Sequence, residues 1–166
     1  MLRLACFMAM LSLLVCVVSC RQPERTEQQE AAYWNHRFVD TAHKILYADR
    51  DSTVAFRFYD SSLRSISTND LYPYSTRFGL IANYYYFFTT DNAATARYID
   101  SALSLFHSEA LQNQYARTYV GYLVFGGDFA YRLRQYRKAN EYYFKAKKLA
   151  DALLDPCERK AYHYSI

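Results

Sequence analysis

Glycine and proline are scarce in this chain, with only 4 glycines and 3 prolines among 166 residues. All-β barrels and sandwiches need turn residues every few positions, so this scarcity argues against them. A length of 166 residues also excludes two large domains and leaves one domain or a short repeat array. Apolar residues make up 52% of the chain and aromatic residues 18%, so the chain can bury a core. The composition therefore predicts a folded, mostly helical protein.

Charge is nearly absent from residues 1–19, which carry Arg3 and then an apolar run too short for a comfortable membrane span. We interpret 1–19 as a signal peptide; an uncleaved anchor helix and a plain signal peptide are the alternatives. The sequence at 17–20, Val-Val-Ser-Cys, resembles the lipobox of bacterial lipoproteins. That resemblance implies cleavage before Cys20, a lipid anchor on its thiol, and export to the cell envelope, attached to a membrane on the periplasmic side or at the outer membrane.

Cysteine becomes rare once a signal peptide is removed, because Cys6 and Cys16 leave with it and Cys20 carries the lipid. Only Cys157 then remains as a thiol, which excludes an intrachain disulfide framework. The mature chain has nineteen basic and sixteen acidic residues, a net charge of +3. This small excess gives no reason to expect nucleic acid as a partner. Residues 20–30 are polar beyond the anchor, and we predict that they form a tether.

From Ala31 onward, apolar residues recur every three or four positions, the spacing of an amphipathic helix. Three segments then repeat one pattern, small, bulky and small at positions i, i+4 and i+7. These positions share one helix face, where small residues let a neighbouring helix approach closely. The repeat-packing positions predicted in this way are Ala55, Tyr59, Ser62, Thr95, Ile99, Ala102, Ala139, Tyr143 and Ala146.

The third copy of the pattern extends back into a preceding helix and turn. Its additional residues are Leu123, Gly127, Ala130, Arg134, Gln135 and Tyr136. With Gly127 as a further packing position and a turn near Arg134, the segment resembles the tetratricopeptide repeat (TPR), a repeated helical hairpin. The first two copies depart from the family pattern, since His43 and Asn83 stand in place of the glycine. Their spacings of 40 and 44 residues also exceed the usual 34.

The resemblance implies an all-α, TPR-like α-solenoid of about three antiparallel helical hairpins over 31–154. The expected hairpins are 31–66, 76–107 and 112–154, and 155–166 would begin a further, incomplete repeat. A bundle of amphipathic helices without repeats is the alternative, because the same periodicity suits any buried helix.

Helix boundaries can be predicted from a few residues in this region. Ser52 and Asp91 are expected to cap the second helices of the first two hairpins, because their side chains can accept hydrogen bonds from a first turn. Pro73 and Pro156 are expected after second helices, where the chain must stop being helical.

The lipobox, the polar tether, the TPR-like hairpins and the stretch 136–157 together resemble the N-terminal sensory region of Bacteroidota TPR sensor kinases and regulators. In that family a membrane helix and a kinase or DNA-binding output domain follow the repeats, and these 166 residues contain no such output. The resemblance implies an envelope lipoprotein that acts in signal transduction as a protein- or peptide-binding TPR scaffold or sensor input domain. The alternative is a truncated remnant of a TPR sensor histidine kinase or transcriptional regulator, without independent activity.

Motifs for catalysis or metal binding are missing from the sequence. The four histidines, His36, His43, His107 and His163, lie far apart, and no His-Glu-x-x-His or Cys-x-x-Cys spacing occurs. Cys157 lies six residues before His163, but a nucleophilic pair would need a third group to orient the histidine. We therefore expect no enzymatic activity, no cofactor, no metal and no nucleic acid. The expected partners are a protein or peptide and, through the lipid, a membrane.

Aromatic residues are in excess, and the run 84–88 places five rings in succession on one helix. A helix cannot bury five consecutive side chains against one neighbour, so some rings should face a groove. In TPR arrays the first helix of each hairpin lines the concave face, and its ligand-facing positions carry over to this chain. The groove residues implied are Lys44, Tyr47, Arg77, Tyr84, Phe87, Phe88, Asp128, Tyr131 and Arg132. Alternatively, the rings fill wide spaces between hairpins.

Basic residues are concentrated in the range 132–148, which holds seven basic residues against one acidic residue. This cluster could meet an anionic lipid or an acidic partner. The alternative interpretation is a solvated outer face.

Overall fold

The computed structural model describes residues 26–66 and 70–163. Within these ranges every regular element is helical and no strand occurs, which confirms the predicted all-α fold class. Two segments, π1 and π2, have the wider π-helical turn. In chain order the elements are α1 (Glu27–Trp34), π1 (Asn35–Val39), α2 (Asp40–Tyr47), α3 (Ser52–Leu63), α4 (Leu71–Tyr84), π2 (Tyr85–Thr89), α5 (Asn92–Ser104), α6 (Glu109–Gln114), α7 (Ala116–Arg132), α8 (Tyr136–Leu153) and α9 (Pro156–His163).

Consecutive helices pack side by side in pairs. In the first pair the continuous segment α1–π1–α2 packs against α3. In the second pair the continuous segment α4–π2 packs against α5, and in the third α7 packs against α8. Each pair is joined by a short turn, so its two helices run antiparallel. Between pairs, α3 contacts α4 and α5 contacts α7. Each pair therefore lies against the next one along the chain.

The three turns inside these pairs share one backbone geometry. In each turn a residue other than glycine is left-handed: φ is 56° at Arg50, 55° at Thr90 and 60° at Arg134. The following residue donates its backbone N–H to a carbonyl several positions earlier, as Asp91 does to Tyr85 at 3.1 Å. The third of these turns is the one predicted near Arg134. The first helix of each pair therefore ends in the same backbone geometry.

The left-handed turn at Thr90 gives a direct stability prediction. A β-branched residue is strained at positive φ, whereas glycine is not. We expect Thr90→Gly to raise the free energy of unfolding by about 1 kcal/mol, measured as the shift in urea midpoint. The control is Thr53→Gly at an exposed position in the first turn of α3, where glycine should lower the free energy of unfolding by a few tenths of a kcal/mol. Equal losses in the two variants would contradict strain at Thr90.

The starts of α5 and α3 follow capping chemistry, with one correction. Asp91 caps α5 as predicted, since its carboxylate accepts the backbone N–H of Ala94 at 2.8 Å. The prediction of Ser52 as the cap of α3 is wrong. Asp51, one residue earlier, accepts the N–H of Val54 at 2.9 Å, and Ser52 is already the first helical residue. Two adjacent side chains could cap, and the chain uses the carboxylate.

Prolines mark the start of helices here rather than the end. Pro73 comes after α3, which ends at Leu63, but it lies buried in the first turn of α4, so the expectation that the chain is not helical at Pro73 is wrong. The second pair accordingly begins at Leu71, five residues before the predicted Thr76. Proline is tolerated in a first turn because the N–H it lacks would have no helical partner there. Pro156 opens α9 after α8 has ended at Leu153.

The chain becomes helical earlier than the sequence pattern predicted. Thr26 and Gln29 form a capping box, with the Gln29 N–H donating to Thr26 Oγ1 at 3.3 Å and the Thr26 N–H to Gln29 Oε1 at 3.0 Å. Residues 27–30 therefore belong to α1, and the prediction that they are tether is wrong. The predicted signal peptide and Cys20 lie outside the described residues.

The core forms around two clusters of buried side chains, one in the first pair with α4 and one in the second and third pairs. Most of the predicted packing positions are at most 1% exposed, namely Ala55, Tyr59, Thr95, Ile99, Ala102, Ala139 and Ala146. Ser62 and Tyr143 are half-buried. Gly127 is buried against the Tyr143 ring, where an added Cβ would lie 2.5 Å from Tyr143 Cε1. Close approach between α7 and α8 therefore requires a residue without a side chain at this point.

Candidate functional site

A cleft of about 690 Å³ opens between α1, α4 and α7. Each of these helices lies in the first half of its pair, so the cleft is formed by the side of the molecule where the first helices lie. Its volume falls in the range of ligand-binding clefts. Gly121 on α7 lines it without a side chain, and Phe125, one turn later, adds an aromatic wall.

The first turn of α1 is tied to the start of α7 by one carboxylate. Glu27 accepts the backbone N–H of Arg117 at 3.0 Å, the N–H of Thr118 at 2.6 Å and the Thr118 hydroxyl at 2.5 Å. The first N–H groups of a helix have no partner within the helix, and the helix dipole favours a negative charge there. Glu27 thus provides hydrogen-bond acceptors for two backbone N–H groups at the start of α7, and it positions α1 beside the cleft.

Neutral polar side chains line much of the cleft. The amides of Gln28, Asn35 and Asn83 reach it from α1, π1 and α4. An amide side chain offers both a donor and an acceptor, which matches the two groups of a peptide unit. Asn35 already accepts the Tyr72 hydroxyl at 3.2 Å, and this bond connects π1 to α4.

Asp128 brings a carboxylate to the far end of the cleft. It accepts the Tyr143 hydroxyl at 2.6 Å, which connects the cleft to α8. Burial of the Tyr143 ring, together with this carboxylate, raises the pKa of Tyr143 above its ordinary value. The hydroxyl therefore keeps its proton and remains a donor to Asp128.

A smaller pocket of about 150 Å³ adjoins the cleft and shares Asn83, Tyr122 and Phe125 with it. His43 stands in the wall of this pocket. Burial lowers the pKa of His43, and the nearby Asp40 opposes the shift without cancelling it. The neutral form of His43 therefore predominates at pH 7.

The predicted groove residues do not assemble into one surface. Asp128 lines the cleft, whereas Arg77 is held between pairs by a salt bridge from its Nε to Asp60 Oδ1 at 2.5 Å. Arg77 also lies over the Phe56 ring at 5.2 Å. Lys44 is exposed on α2. Arginine at this position thus joins α4 to α3 and is not presented to the cleft.

The remaining predicted groove residues gather at the edge where the pairs turn. The Tyr47 ring lies 5.9 Å from Phe87 and 5.7 Å from Phe88, and Tyr84 stacks on Phe88 at 5.9 Å. Farther along this edge are Tyr131, which contacts Tyr136, and Arg132, which lies over the Tyr86 ring. The π-helical turn of π2 interrupts regular helical spacing, and it leaves Phe87 59% exposed.

The basic cluster at 132–148 is largely engaged within the chain. Lys138 pairs with Asp100 and Lys147 with Asp151. Arg137 pairs with Glu141, and Lys145 donates to the Tyr119 hydroxyl at 2.7 Å. Much of the charge of this cluster is therefore already paired or hydrogen-bonded within the chain.

Within residues 26–66 and 70–163, no three His, Cys, Asp or Glu side chains lie together as a metal site would need. Cys157 is an exposed free thiol at the start of α9. In the part of the chain that the structure describes, no helix is both long and apolar enough to cross a bilayer.

Sequence reasoning found Asp128 but missed the other polar residues that shape the cleft. Glu27 and Gln28 lie in a polar stretch without helical periodicity, and Thr118 and Gly121 match no motif. The Thr26–Gln29 capping box was the one signal that could have extended the helix to this region. Comparison with protein-family models, with curated proteins and with solved structures found no significant match.

Proposed function

We propose that this chain is a TPR-like helical scaffold whose cleft binds a peptide segment of a protein partner. Three observations support a solenoid-like arrangement: successive antiparallel pairs, contact of each pair with the next, and the common left-handed turn. The cleft carries the proposal for function. It combines amide groups suited to main-chain recognition with aromatic walls, and its volume suits a short peptide segment.

The proposed setting is the cell envelope, with a lipid anchor on Cys20. Export and lipid attachment rest on the resemblance of residues 17–20 to a lipobox. A scaffold held at a membrane in this way could serve as the input of a sensor, because partner capture would be confined to the envelope. Catalysis forms no part of the proposal.

Site-specific photo-crosslinking in cells that produce the full chain tests partner binding. Gln28 is exposed on α1 and lines the cleft, so a photoreactive phenylalanine analogue there should capture the bound segment. The matched control is Tyr33 on the same helix, which is exposed but does not line the cleft. We expect at least tenfold more of a discrete partner adduct from position 28. Equal adduct patterns at both positions would contradict binding in the cleft.

A further inference from the structure

α1 is packed less tightly than the helices that follow it in the three pairs. Of its eight residues only Trp34, at its end, is buried. Gln28, Ala32 and Tyr33 are exposed along its length. Since helices in proteins are stabilised mainly by packing of a buried face, a helix with one buried residue opens easily.

The beginning of α1 is held to α7 by the Glu27 carboxylate described above. Three hydrogen bonds converge on that one side chain, and all three bring a donor to a charged acceptor. The attachment is therefore strong, and it acts at the beginning of α1.

π1 provides a point about which α1 can turn. Its wider turn closes with the Asp40 N–H donating to the Asn35 carbonyl, in place of the regular helical bond. Such turns interrupt the helical ladder, and helices bend at them. On the far side of π1 the chain is fixed in the core, where Ala42 and Leu46 of α2 are at most 1% exposed.

We propose that α1 is a latch over the cleft, with Glu27 as its catch and π1 as its hinge. This inference rests on the proposed function, because it concerns access to the same cleft. Gln28 and Ala31 of α1 line the cleft, so release of Glu27 lets them move and widens the opening. The latch is closed when Glu27 is seated on α7, and partner binding requires it to open.

Hydrogen exchange of the full chain in detergent micelles, read by mass spectrometry, tests the catch. Glu27→Gln removes the charge from the bonds to α7, and amides of α1 should then exchange about tenfold faster than in the wild type. Glu30→Gln is the matched control, since Glu30 lies on the same helix but accepts the Trp34 Nε1 proton within it at 3.0 Å. Thr118→Val, which leaves α1 untouched, should give a smaller acceleration.

Equal acceleration in Glu27→Gln and Glu30→Gln would overturn the catch, as would faster exchange spread over α7 and α8. Cross-linking at position 28 supplies the second measurement. If Glu27 limits access, adduct yield rises severalfold in Glu27→Gln. Faster exchange of α1 with unchanged yield overturns the latch while leaving the proposed function intact. Absence of any partner adduct in the wild type and in every variant overturns the proposed function, and the exchange data still decide whether α1 is released.

Discussion

Tyr59→Ala is expected to lower the free energy of unfolding by about 3–5 kcal/mol, enough to bring the chain close to unfolding. Tyr59 is completely buried, and its hydroxyl donates to the carbonyl of Pro73 at 3.2 Å. The side chain thereby joins α3 to the first turn of α4, across the boundary between two helix pairs. Its loss leaves a cavity in the core and removes a bond that couples the pairs.

The measurement is thermal unfolding followed by circular dichroism, with two comparison variants. Tyr59→Phe keeps the ring and loses only the hydroxyl, so it should cost about 1 kcal/mol. Tyr136→Ala removes a ring that is 53% exposed at the start of α8 and should change stability by less than about 1 kcal/mol. A Tyr59→Ala variant no less stable than Tyr136→Ala would show that the two pairs are not joined through this residue.

Gly127→Ala is expected to destabilise the protein by about 1–2 kcal/mol, although alanine favours helices. An added Cβ would lie 2.5 Å from Tyr143 Cε1 and 2.7 Å from Cδ1, so the ring or the helix must shift. Overpacking of this kind costs about 1–3 kcal/mol and outweighs the gain of about 1 kcal/mol in helix propensity. Urea unfolding at equilibrium measures the difference.

Gly121→Ala is the control for Gly127→Ala, because Gly121 lies on the same helix and faces the open cleft. The added methyl group displaces no ring, so Gly121→Ala should raise the free energy of unfolding by up to about 1 kcal/mol through helix propensity alone. The double variant Gly127→Ala with Tyr143→Ala should lose less free energy of unfolding than the sum of the two single variants, since the clash needs both side chains. Stabilisation by Gly127→Ala, equal to that of Gly121→Ala, would contradict close packing of α7 on α8.

The helical class and the third pair could be predicted because local patterns determine them. The small residues at 139 and 146, the glycine at 127 and the turn at Arg134 are all visible as spacings. The cap at Asp91 follows from one side chain and its own helix. Ser52 was mistaken for a cap because its neighbour Asp51 could serve equally well, and only the folded geometry separates the two.

The cleft could not be predicted because it depends on contacts between distant parts of the chain. Glu27 meets Thr118 across 91 residues, and neither residue belongs to a recognisable motif. The aromatic run 84–88 was expected to line a groove, but the π-helical turn of π2 lies at the edge of the pairs. A π turn follows from tertiary packing rather than from a local residue pattern, so Phe87 and Phe88 could not be placed from spacing.

Cross-linking at position 28 in a background of Gly121→Phe tests most directly whether a partner occupies the cleft. Gly121 lines the cleft without a side chain, so phenylalanine there should fill the space that a peptide would use. We expect the partner adduct to fall at least tenfold in Gly121→Phe and to remain near the wild-type yield in Gly121→Ala, with the helical circular dichroism of both unchanged. An undiminished adduct in folded Gly121→Phe would contradict peptide binding in this cleft.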